Sequence, residues 1–478
     1  MNIKHFLRAI EEYVTLILSF IVGWIRYRNQ KINSSDIDKI AIIKLDHLGD
    51  VILSTPAIAN VREYFPNAHI ALVVNPSSKA IAEMIPYVDE VILYNARFFD
   101  RSGNARAFDI LKGVRFAENM KQRKFDLIID LRGSFATLLY AVISNSRYRL
   151  DRGAYLVKRK FGRKKSPFIP LLQRGNDDEH NLLQRGNDDE HNLLQRGNDN
   201  EHEFLQKGSV EEHDLLKKGN VDEYKLLQGN IDKHDILQRK NINERDVKIN
   251  GHLIQKRKGV YKGDEWSDLH EANVCLNILL EAGIPIKIKE TSIDPKHVLQ
   301  ETDLSYNDVD MEMKVVIHAG APLLLKRWSS QKYVDLIKTL LRDYPAKIFL
   351  IGGKDEYELS NKILEAVNDN RVINLTGKLT LAELAYLLKR SQLFIGNDSG
   401  PMHIASACGT KVIGLYGPTD PERFGPYGGN CIALRMEDKC PPCAKDECKF
   451  KNYRCVDQIS VDDVINVIKD LLNIDQIK

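Results

Sequence analysis

The chain has 478 residues, of which 43% are hydrophobic and 28% charged, an ordinary composition for a globular protein of two or three domains. Its net charge of +3 at pH 7 excludes the strongly basic class of general nucleic-acid binders. We therefore expect no nucleic acid among its partners.

Residues 1–34 combine an apolar run with basic flanks. The run from Tyr13 to Ile25 has 13 residues, whereas a membrane-spanning helix needs ~18 or more. No small-residue cleavage site marks a signal peptide. The segment carries a net charge of +3, which suits a helix lying on an anionic membrane surface. We favour this anchor over the alternative, a helix packed on the protein's own core.

From Lys39 onwards, apolar strands alternate with helical segments. The predicted strands are KIAIIKL, HIALVV, EVILYN and FDLIIDL, and VILSTPAIANVREYF is predicted to form one helix between the first two. The strands are continuously apolar instead of alternating, which is typical of a parallel sheet covered on both faces. We assign this first α/β domain to residues 36–165.

The same pattern returns after residue 311, in a second domain assigned to residues 265–478. Ser329 or Ser330 is predicted to cap one helix, and Thr380 with Glu383 forms a capping box for another. The chain is therefore predicted to be an α/β protein with two doubly wound units, each containing its own sheet.

Residues 171–246 repeat the pattern LLQRGNDDEHN with a period of 11 and increasing divergence. An 11-residue repeat can support a helical supercoil, but a glycine in most copies costs ~1 kcal/mol in a helix. We interpret the segment as an expanded surface insertion. The repeated histidines have two interpretations: they bind a metal ion, or they are solvated polar positions that were copied with the repeat. We favour the second.

Asp398, Ser399, Gly400 and His403 follow a predicted strand of the second domain. Ligands of open parallel sheets bind at the carboxyl ends of the strands, where helix N-termini attract phosphate. Ser399, Gly400 and His403 therefore suit a phosphate group, and Asp398 suits sugar hydroxyls. The alternative is that Asp398 and Ser399 only cap the helix.

Two further strand ends of the same sheet carry charged residues. Lys326 is suited to neutralise a diphosphate, and Glu356 can accept hydrogen bonds from ribose hydroxyls. These groups together predict a nucleotide-diphosphate site on the second domain.

The first domain has a matching junction in KLDHLGDVILSTPAI. Asp46, His47 and Asp50 lie close together there, and Gly49 permits a tight turn. Asp50 either caps the following helix or acts as a general base on an acceptor hydroxyl, and His47 is a weaker candidate for that base.

The ordered motifs KLDHLGDVILSTPAI, HAGAPLLLKRW, LIGGKDE and GNDSGPMHIA resemble glycosyltransferase family 9, the lipopolysaccharide heptosyltransferases. The resemblance covers roughly residues 39–150 and 265–470. It implies a GT-B fold, in which two Rossmann-like domains face across a cleft, with the acceptor on the first and the nucleotide sugar on the second. By the family's motifs, Asp50 is the catalytic base, whereas Lys326 and Glu356 bind the donor. The donor motif Asp-Ser/Thr-Gly-x-x-His corresponds to Asp398, Ser399, Gly400 and His403.

The resemblance also implies a reaction. Heptose passes with inversion from ADP-heptose to a lipid-linked inner-core acceptor, without an essential metal or other cofactor, at the cytoplasmic face of the bacterial inner membrane. Three alternatives stay open: transfer of another nucleotide sugar, sugar-nucleotide epimerisation, and a non-catalytic nucleotide-binding assembly role. The loop HAGAPLLLKRW lacks the hydroxyl residues common in heptosyltransferases, which leaves the identity of the donor sugar open.

Four cysteines, Cys440, Cys443, Cys448 and Cys455, cluster near the C-terminus with the spacing C-x2-C-x4-C-x6-C. Four thiolates can bind a structural zinc ion tetrahedrally. Two disulfides and unligated thiols are the alternatives, and we expect no catalytic role for the cluster. The scattered placement of the other cysteines favours a cytoplasmic protein.

Overall fold

The computed structural model describes residues 34–95, 110–134, 143–152, 248–249, 252–253, 260–262, 270–297, 313–436 and 453–472, with isolated positions 32, 137, 140, 141, 442, 443, 448 and 450. The chain divides into two units, one formed by Met1–Lys160 with Lys258–Lys478 and the other by Phe161–Arg257. The apolar N-terminal run and the repeats at 171–246 lie outside the described residues, so the assignments made for them stay predictions.

The first sheet contains five parallel strands in the order β3-β2-β1-β4-β5. They are β1 (Lys39–Ile43), β2 (His69–Val74), β3 (Glu90–Leu93), β4 (Leu127–Asp130) and β5 (Tyr148–Asp151). Ile40 and Ile42 of the central strand enter one hydrophobic core, whereas Ala41 and Ile43 enter another on the opposite face. Burial on both faces explains why the strands are continuously apolar.

The segment between β1 and β2 forms two helices, α1 (Leu48–Leu53) and α2 (Thr55–Tyr64), so the prediction of one helix was wrong. Pro56 has no N–H to donate to the carbonyl of Ile52. The hydroxyl of Thr55 donates to that carbonyl instead, at 2.7 Å. Ser54 lies at the break and donates from its own hydroxyl to Val51. The helical segment also begins at Leu48, earlier than predicted.

Two more helices with defined bounds belong to the first domain, α3 (Lys79–Ala82) and α4 (Ile110–Gln122). The unit Phe161–Arg257 contributes one described feature, an antiparallel pair of β6 (Lys248–Ile249) and β7 (His252–Leu253).

The second sheet has seven strands in the order β11-β10-β9-β12-β13-β14-β8. They are β8 (Val260–Lys262), β9 (Met313–His318), β10 (Ala346–Leu350), β11 (Val372–Asn374), β12 (Leu393–Asn397), β13 (Lys411–Leu415) and β14 (Cys431–Leu434). All neighbouring strands are parallel except β14 and β8. The first sheet is parallel throughout and the second is parallel except at β8, which confirms the predicted architecture of two doubly wound α/β units.

The helices around this sheet are α6 (Ser330–Asp343), α7 (Tyr357–Val367), α8 (Leu381–Lys389), α9 (Gly400–Ala407), α10 (Pro421–Phe424) and α11 (Val461–Leu472), whereas α5 (Glu271–Glu281) packs on the first domain. The predicted capping box is confirmed, because Thr380 accepts from the Glu383 N–H and the Glu383 carboxylate accepts from the Thr380 N–H. Ser329 occupies the N-cap of α6, but its side chain makes no capping hydrogen bond.

Helix α5 and the residues after it pack against the first domain. The buried amide of Asn60, on α2, donates to the carbonyl of Ile288 at 2.6 Å and accepts from the N–H of Lys287 at 2.7 Å. These bonds attach the segment after α5 to the first domain and thereby hold Glu271, at the start of α5, next to the end of β1.

Within the part of the chain that the structure describes, no helix combines the length and apolarity needed to cross a membrane.

Candidate active site

The carboxyl end of β1 carries the first group of predicted site residues. Asp46 is buried, and its carboxylate pairs with the ammonium of Lys44 at 3.2 Å and with Arg132. His47 is exposed and occupies the N-cap position of α1. Asp46 is thus committed to ion pairs, which favours a supporting role for it over a catalytic one.

Asp50 lies in the first turn of α1, with a partly exposed side chain. Burial raises the pKa of its carboxyl above the usual value of 3.8, and the nearby ammonium of Lys44 opposes that rise. The carboxylate also accepts a hydrogen bond from the backbone N–H of His47. Both interpretations of Asp50 are therefore compatible with its position: it caps the helix start and is also a carboxylate of increased basicity.

The carboxyl end of β12 and the start of α9 carry the second group. The carboxylate of Asp398 accepts from the ammonium of Lys326 at 2.6 Å. Ser399 occupies the N-cap of α9, but its hydroxyl donates to the carbonyl of Asn397 at 3.0 Å, so it does not cap the helix. This finding goes against the capping alternative for Ser399.

His403 lies on the first turn of α9 and is buried. Burial lowers the pKa of its imidazole to about 4, with Asp398 opposing the shift and Lys326 adding to it. The ring is therefore neutral at pH 7. Its Nδ1 atom is buried and has no hydrogen-bond partner among the described residues. A neutral ring with an unused polar atom is suited to hydrogen-bond a ligand.

Glu356 is joined to this junction through His318. The Nε2 atom of His318 lies 3.0 Å from the Glu356 carboxylate, and its Nδ1 atom lies 2.9 Å from the hydroxyl of Ser399. The Gly353 N–H also donates to Glu356, at 2.9 Å. Burial raises the pKa of Glu356, but the hydrogen bonds from His318 and Gly353 outweigh it and leave the pKa below its usual value. Glu356 is thus an ionised acceptor held by the ends of two strands.

The two junctions meet at Gly49 and His403. A Cβ atom added to Gly49 would lie only 2.8 Å from Cδ2 of the His403 ring, and one added to Gly400 would lie 3.4 Å from the side chain of Leu48. The first turns of α1 and α9 are therefore in direct contact. Asp50, one residue after Gly49, is in this way brought next to the predicted donor residues.

Sequence reasoning missed several residues that organise the site. His318 links Glu356 to Ser399. Asn397 is fully buried and makes four hydrogen bonds. In the loop between β9 and α6 it donates to the carbonyls of Ala319 and Gly320 and accepts from the Trp328 N–H, and it also accepts from the hydroxyl of Tyr333 on α6. The sequence signal for Asn397 was a lone amide at the end of an apolar strand.

A second group of missed residues lies beneath Asp50. Lys44 is completely buried and contacts the carboxylate of Glu271 at 2.6 Å, and Arg152 contacts the same carboxylate. A lysine inside the apolar run KIAIIKL was a signal that a buried carboxylate must lie nearby.

The described part of the cysteine cluster contains Cys443, which is exposed, and Cys448 and Cys455, which are half-buried. Cys440 lies outside the described residues. Among the residues that are described, no three His, Cys, Asp or Glu side chains are grouped to hold a metal ion. The structural zinc stays a prediction.

Residues 278–454 match the family model "Glycosyltransferase family 9 (heptosyltransferase)". Lipooligosaccharide heptosyltransferase 2 of Campylobacter jejuni is 31% identical over 149 residues, which cover 30% of this chain and 47% of that protein. The chain thus spans about half the length of this relative. Lipopolysaccharide heptosyltransferase 3 of Escherichia coli is 23% identical over 431 residues, which cover 89% of this chain and 96% of that protein.

The fold is similar to that of the solved E. coli heptosyltransferase WaaC with ADP, with a TM-score of 0.53 and 17% identity over 91% of this chain and 99% of that one. This similarity confirms the GT-B type of fold expected from the sequence. The family match in the second domain and the alignment with a heptosyltransferase along most of the chain agree with the four motifs. The second domain thus matches glycosyltransferase family 9, and most of the chain is similar to a heptosyltransferase.

Proposed function

We propose that the protein is an inverting glycosyltransferase that moves heptose from ADP-heptose to an acceptor in the inner core of lipopolysaccharide. The observation that carries this proposal is the contact between Gly49 and the ring of His403. It joins the turn bearing a carboxylate of increased basicity to the turn bearing the donor motif. A transferase needs this juxtaposition, because the acceptor hydroxyl must reach the sugar carbon of the donor.

On the acceptor side, Asp50 acts as the general base. Burial raises the pKa of its carboxyl, which makes the carboxylate a stronger base than that of an ordinary aspartate. As the acceptor oxygen bonds to the sugar carbon, its proton passes to Asp50. The bond from that carbon to the diphosphate breaks at the same time, and ADP leaves with the electron pair. Attack from the face opposite the leaving group inverts the sugar carbon.

On the donor side, the charge that develops on the leaving diphosphate needs stabilisation. Lys326 supplies an ammonium, and its ion pair with Asp398 holds that ammonium beside the start of α9. The N-terminus of α9 adds a partial positive charge at Gly400. The proposal assigns no divalent metal ion to this step, because Lys326 and the helix provide the positive charge.

The remaining donor residues bind the ribose, the transferred sugar and a phosphate oxygen of the nucleotide sugar. Glu356 is an ionised acceptor suited to two ribose hydroxyls. The neutral ring of His403 can hydrogen-bond a phosphate oxygen, and the hydroxyl of Ser399 can do so when its proton turns away from the Asn397 carbonyl. Asp398 can also accept from a sugar hydroxyl. ADP-heptose is supported as donor by the family description and by the solved relative with ADP.

The proposal includes a place in the cell. A lipid-linked acceptor confines the reaction to a membrane surface, and the basic, apolar segment 1–34 suits peripheral attachment to the cytoplasmic face of the inner membrane. A structural zinc ion bound by the four clustered cysteines is part of the proposal, without a role in catalysis.

The test is a transfer assay with the full chain, ADP-heptose and a deacylated inner-core acceptor, in the presence of a metal chelator. We expect release of ADP, a heptosylated product detected by mass spectrometry, and inversion at the transferred carbon by NMR. UDP-linked and GDP-linked sugars are the matched control donors. The proposal is contradicted if the donor is bound but isomerised without acceptor, or if a control donor is used in preference to ADP-heptose.

A further inference from the structure

A cluster of three charged side chains, two of them buried, lies near Asp50, where the helix α5 that carries Glu271 contacts α1. The carboxylate of Glu271 accepts from Lys44 Nζ at 2.6 Å and from the two terminal nitrogens of Arg152 at 2.5 and 2.9 Å. Lys44 is completely buried, and Glu271 is 6% exposed. Two cations thus share one buried carboxylate.

The three residues come from separate parts of the chain. Lys44 follows β1, Arg152 follows β5, and Glu271 begins α5, 227 positions after Lys44. The helix α5 that carries Glu271 is held against the first domain by the buried amide of Asn60 on α2 and the segment after α5. The position of Glu271 is therefore determined by the packing of that segment on the first domain.

The charges of the cluster act on the carboxyl of Asp50 in addition to the larger effect of its burial. Lys44 and Arg152 both favour the ionised form of its carboxyl, whereas Glu271 opposes it. Cys275, one turn further along α5, faces the same charges, and burial raises the pKa of its thiol to about 11, so it is neutral. Asp46 contacts Lys44 from the loop after β1 and is also paired with Arg132.

We propose that Glu271 is a positioning residue for the transfer reaction: by holding Lys44 and Arg152 in ion pairs, it keeps the Asp50 carboxylate from being captured by them and leaves it free and basic. The inference rests on the proposed function, because it concerns the same base.

The physical reason is the cost of an unpaired buried cation. Without Glu271, the guanidinium of Arg152 would need another anion, and the ammonium of Lys44 would keep only Asp46, which it shares with Arg132. Asp50 is a further carboxylate within the field of both cations. A carboxylate drawn into such a pair is a weaker base and is turned away from the acceptor hydroxyl. Glu271 itself exchanges no proton in this scheme, because Lys44 and Arg152 outweigh burial and keep its pKa far below the usual value.

The test compares the acidic limb of the pH profile of kcat/KM in the wild type, three variants of the cluster and one control variant. Glu271→Gln removes the anion, so the limb should move to lower pH by roughly 1 unit, and the plateau should fall about 10-fold as the base weakens. Arg152→Gln removes one cation and leaves Glu271 paired with Lys44, so the limb should move to higher pH. The double variant removes one charge of each sign and should return the limb toward the wild-type position.

Glu63→Gln is the matched control, because Glu63 forms a solvent-exposed pair with Lys287 at 2.9 Å and lies outside the cluster. Its limb should coincide with that of the wild type. If Glu271→Gln does not fold, Arg152→Gln carries the test alone, since Glu271 then keeps Lys44 as its partner.

Opposite shifts in the two single variants support the inference. Reduced rates with an unmoved acidic limb in both would overturn it and leave the cluster with a purely structural role. If the wild type binds nucleotide sugars but transfers none, the proposed function fails, and the inference fails with it.

Discussion

The ammonium of Lys326 lies 2.6 Å from the carboxylate of Asp398, although the two residues are 72 positions apart and follow different strands. Their pairing orients a flexible lysine toward the start of α9. The donor site therefore contains an internal ion pair whose cation is directed to the place where the diphosphate of the donor is proposed to bind.

Replacement of Lys326 by Met tests the role of this cation. A hydrogen bond to a charged group contributes about 1.5–3 kcal/mol, so we expect affinity for ADP-heptose to fall between roughly 10-fold and 100-fold. Lys338→Met is the matched control, because Lys338 is exposed on α6, and its affinity should be unchanged. Calorimetric titration with the donor measures both. Equal affinity of the two variants would remove Lys326 from the donor site.

Substitution of Gly49 by Ala tests the contact between the two junctions. The added methyl group would lie 2.8 Å from the His403 ring, so one of the two first turns must shift. We expect kcat/KM to fall about 10-fold or more, because a small misplacement of reacting groups is costly.

A double-mutant cycle with His403→Ala separates this effect from a general loss of stability. The methyl group of Gly49→Ala would collide with the His403 ring, and His403→Ala removes that ring. The losses of kcat/KM in the two single variants should therefore not add in the double variant. Strictly additive losses would show that Gly49 and His403 act independently.

Much of this arrangement was predictable from the sequence, because it depends on local pattern. Continuous apolar runs predicted the parallel strands, and the glycines and polar residues at their ends predicted the junctions around Asp50 and Ser399. The spacing of three residues between Thr380 and Glu383 predicted the capping box that they form. These features involve residues that are close together along the chain.

The remainder depends on contacts that local pattern does not encode. The partner of Lys44 is Glu271, which lies 227 positions away. The four bonds of Asn397 depend on how the loop between β9 and α6 returns over the sheet. The break in the helix at Ser54 depends on the carbonyl of Ile52, to which Pro56 has no N–H to donate. The hydroxyl of Thr55 donates to it instead.

Asn397→Ala should destabilise the protein and weaken the donor site together. It would leave buried donors and acceptors in the loop before α6 without partners, at a cost of about 1–3 kcal/mol for each unsatisfied group. Thermal unfolding should show a lower Tm, and KM for the donor should rise. Asn361→Ala is the matched control, because Asn361 makes an exposed hydrogen bond within α7 to Glu365. Similar Tm losses in both variants would contradict the role assigned to Asn397.

Two buried histidines should make stability depend on pH. Burial lowers the pKa of His270 and of His403 to about 4, from a usual value of 6.5. Between these values the unfolded chain binds more protons than the folded one, so the free energy of unfolding should decrease as pH falls from 6.5 to 4. Each histidine contributes up to about 1.4 kcal/mol per pH unit in this window.

Denaturant unfolding of the wild type and of His403→Asn at several pH values between 6.5 and 4 measures this dependence. The variant should lose about half of the slope contributed by the two rings, because His270 remains. A slope identical to that of the wild type would contradict a buried, neutral His403.

The measurement that tests the central claim most directly is heptose transfer by Asp50→Asn, with donor binding measured on the same preparation. Asparagine preserves the shape of the side chain but removes its basicity, so kcat should fall by about 10²- to 10⁴-fold. The affinity for ADP-heptose should stay within about twofold of the wild-type value, because the residues proposed to bind the donor are unchanged. Asp335→Asn, on the exposed face of α6, is the control and should keep full activity. Transfer by Asp50→Asn at the wild-type rate would contradict the assignment of Asp50 as the base.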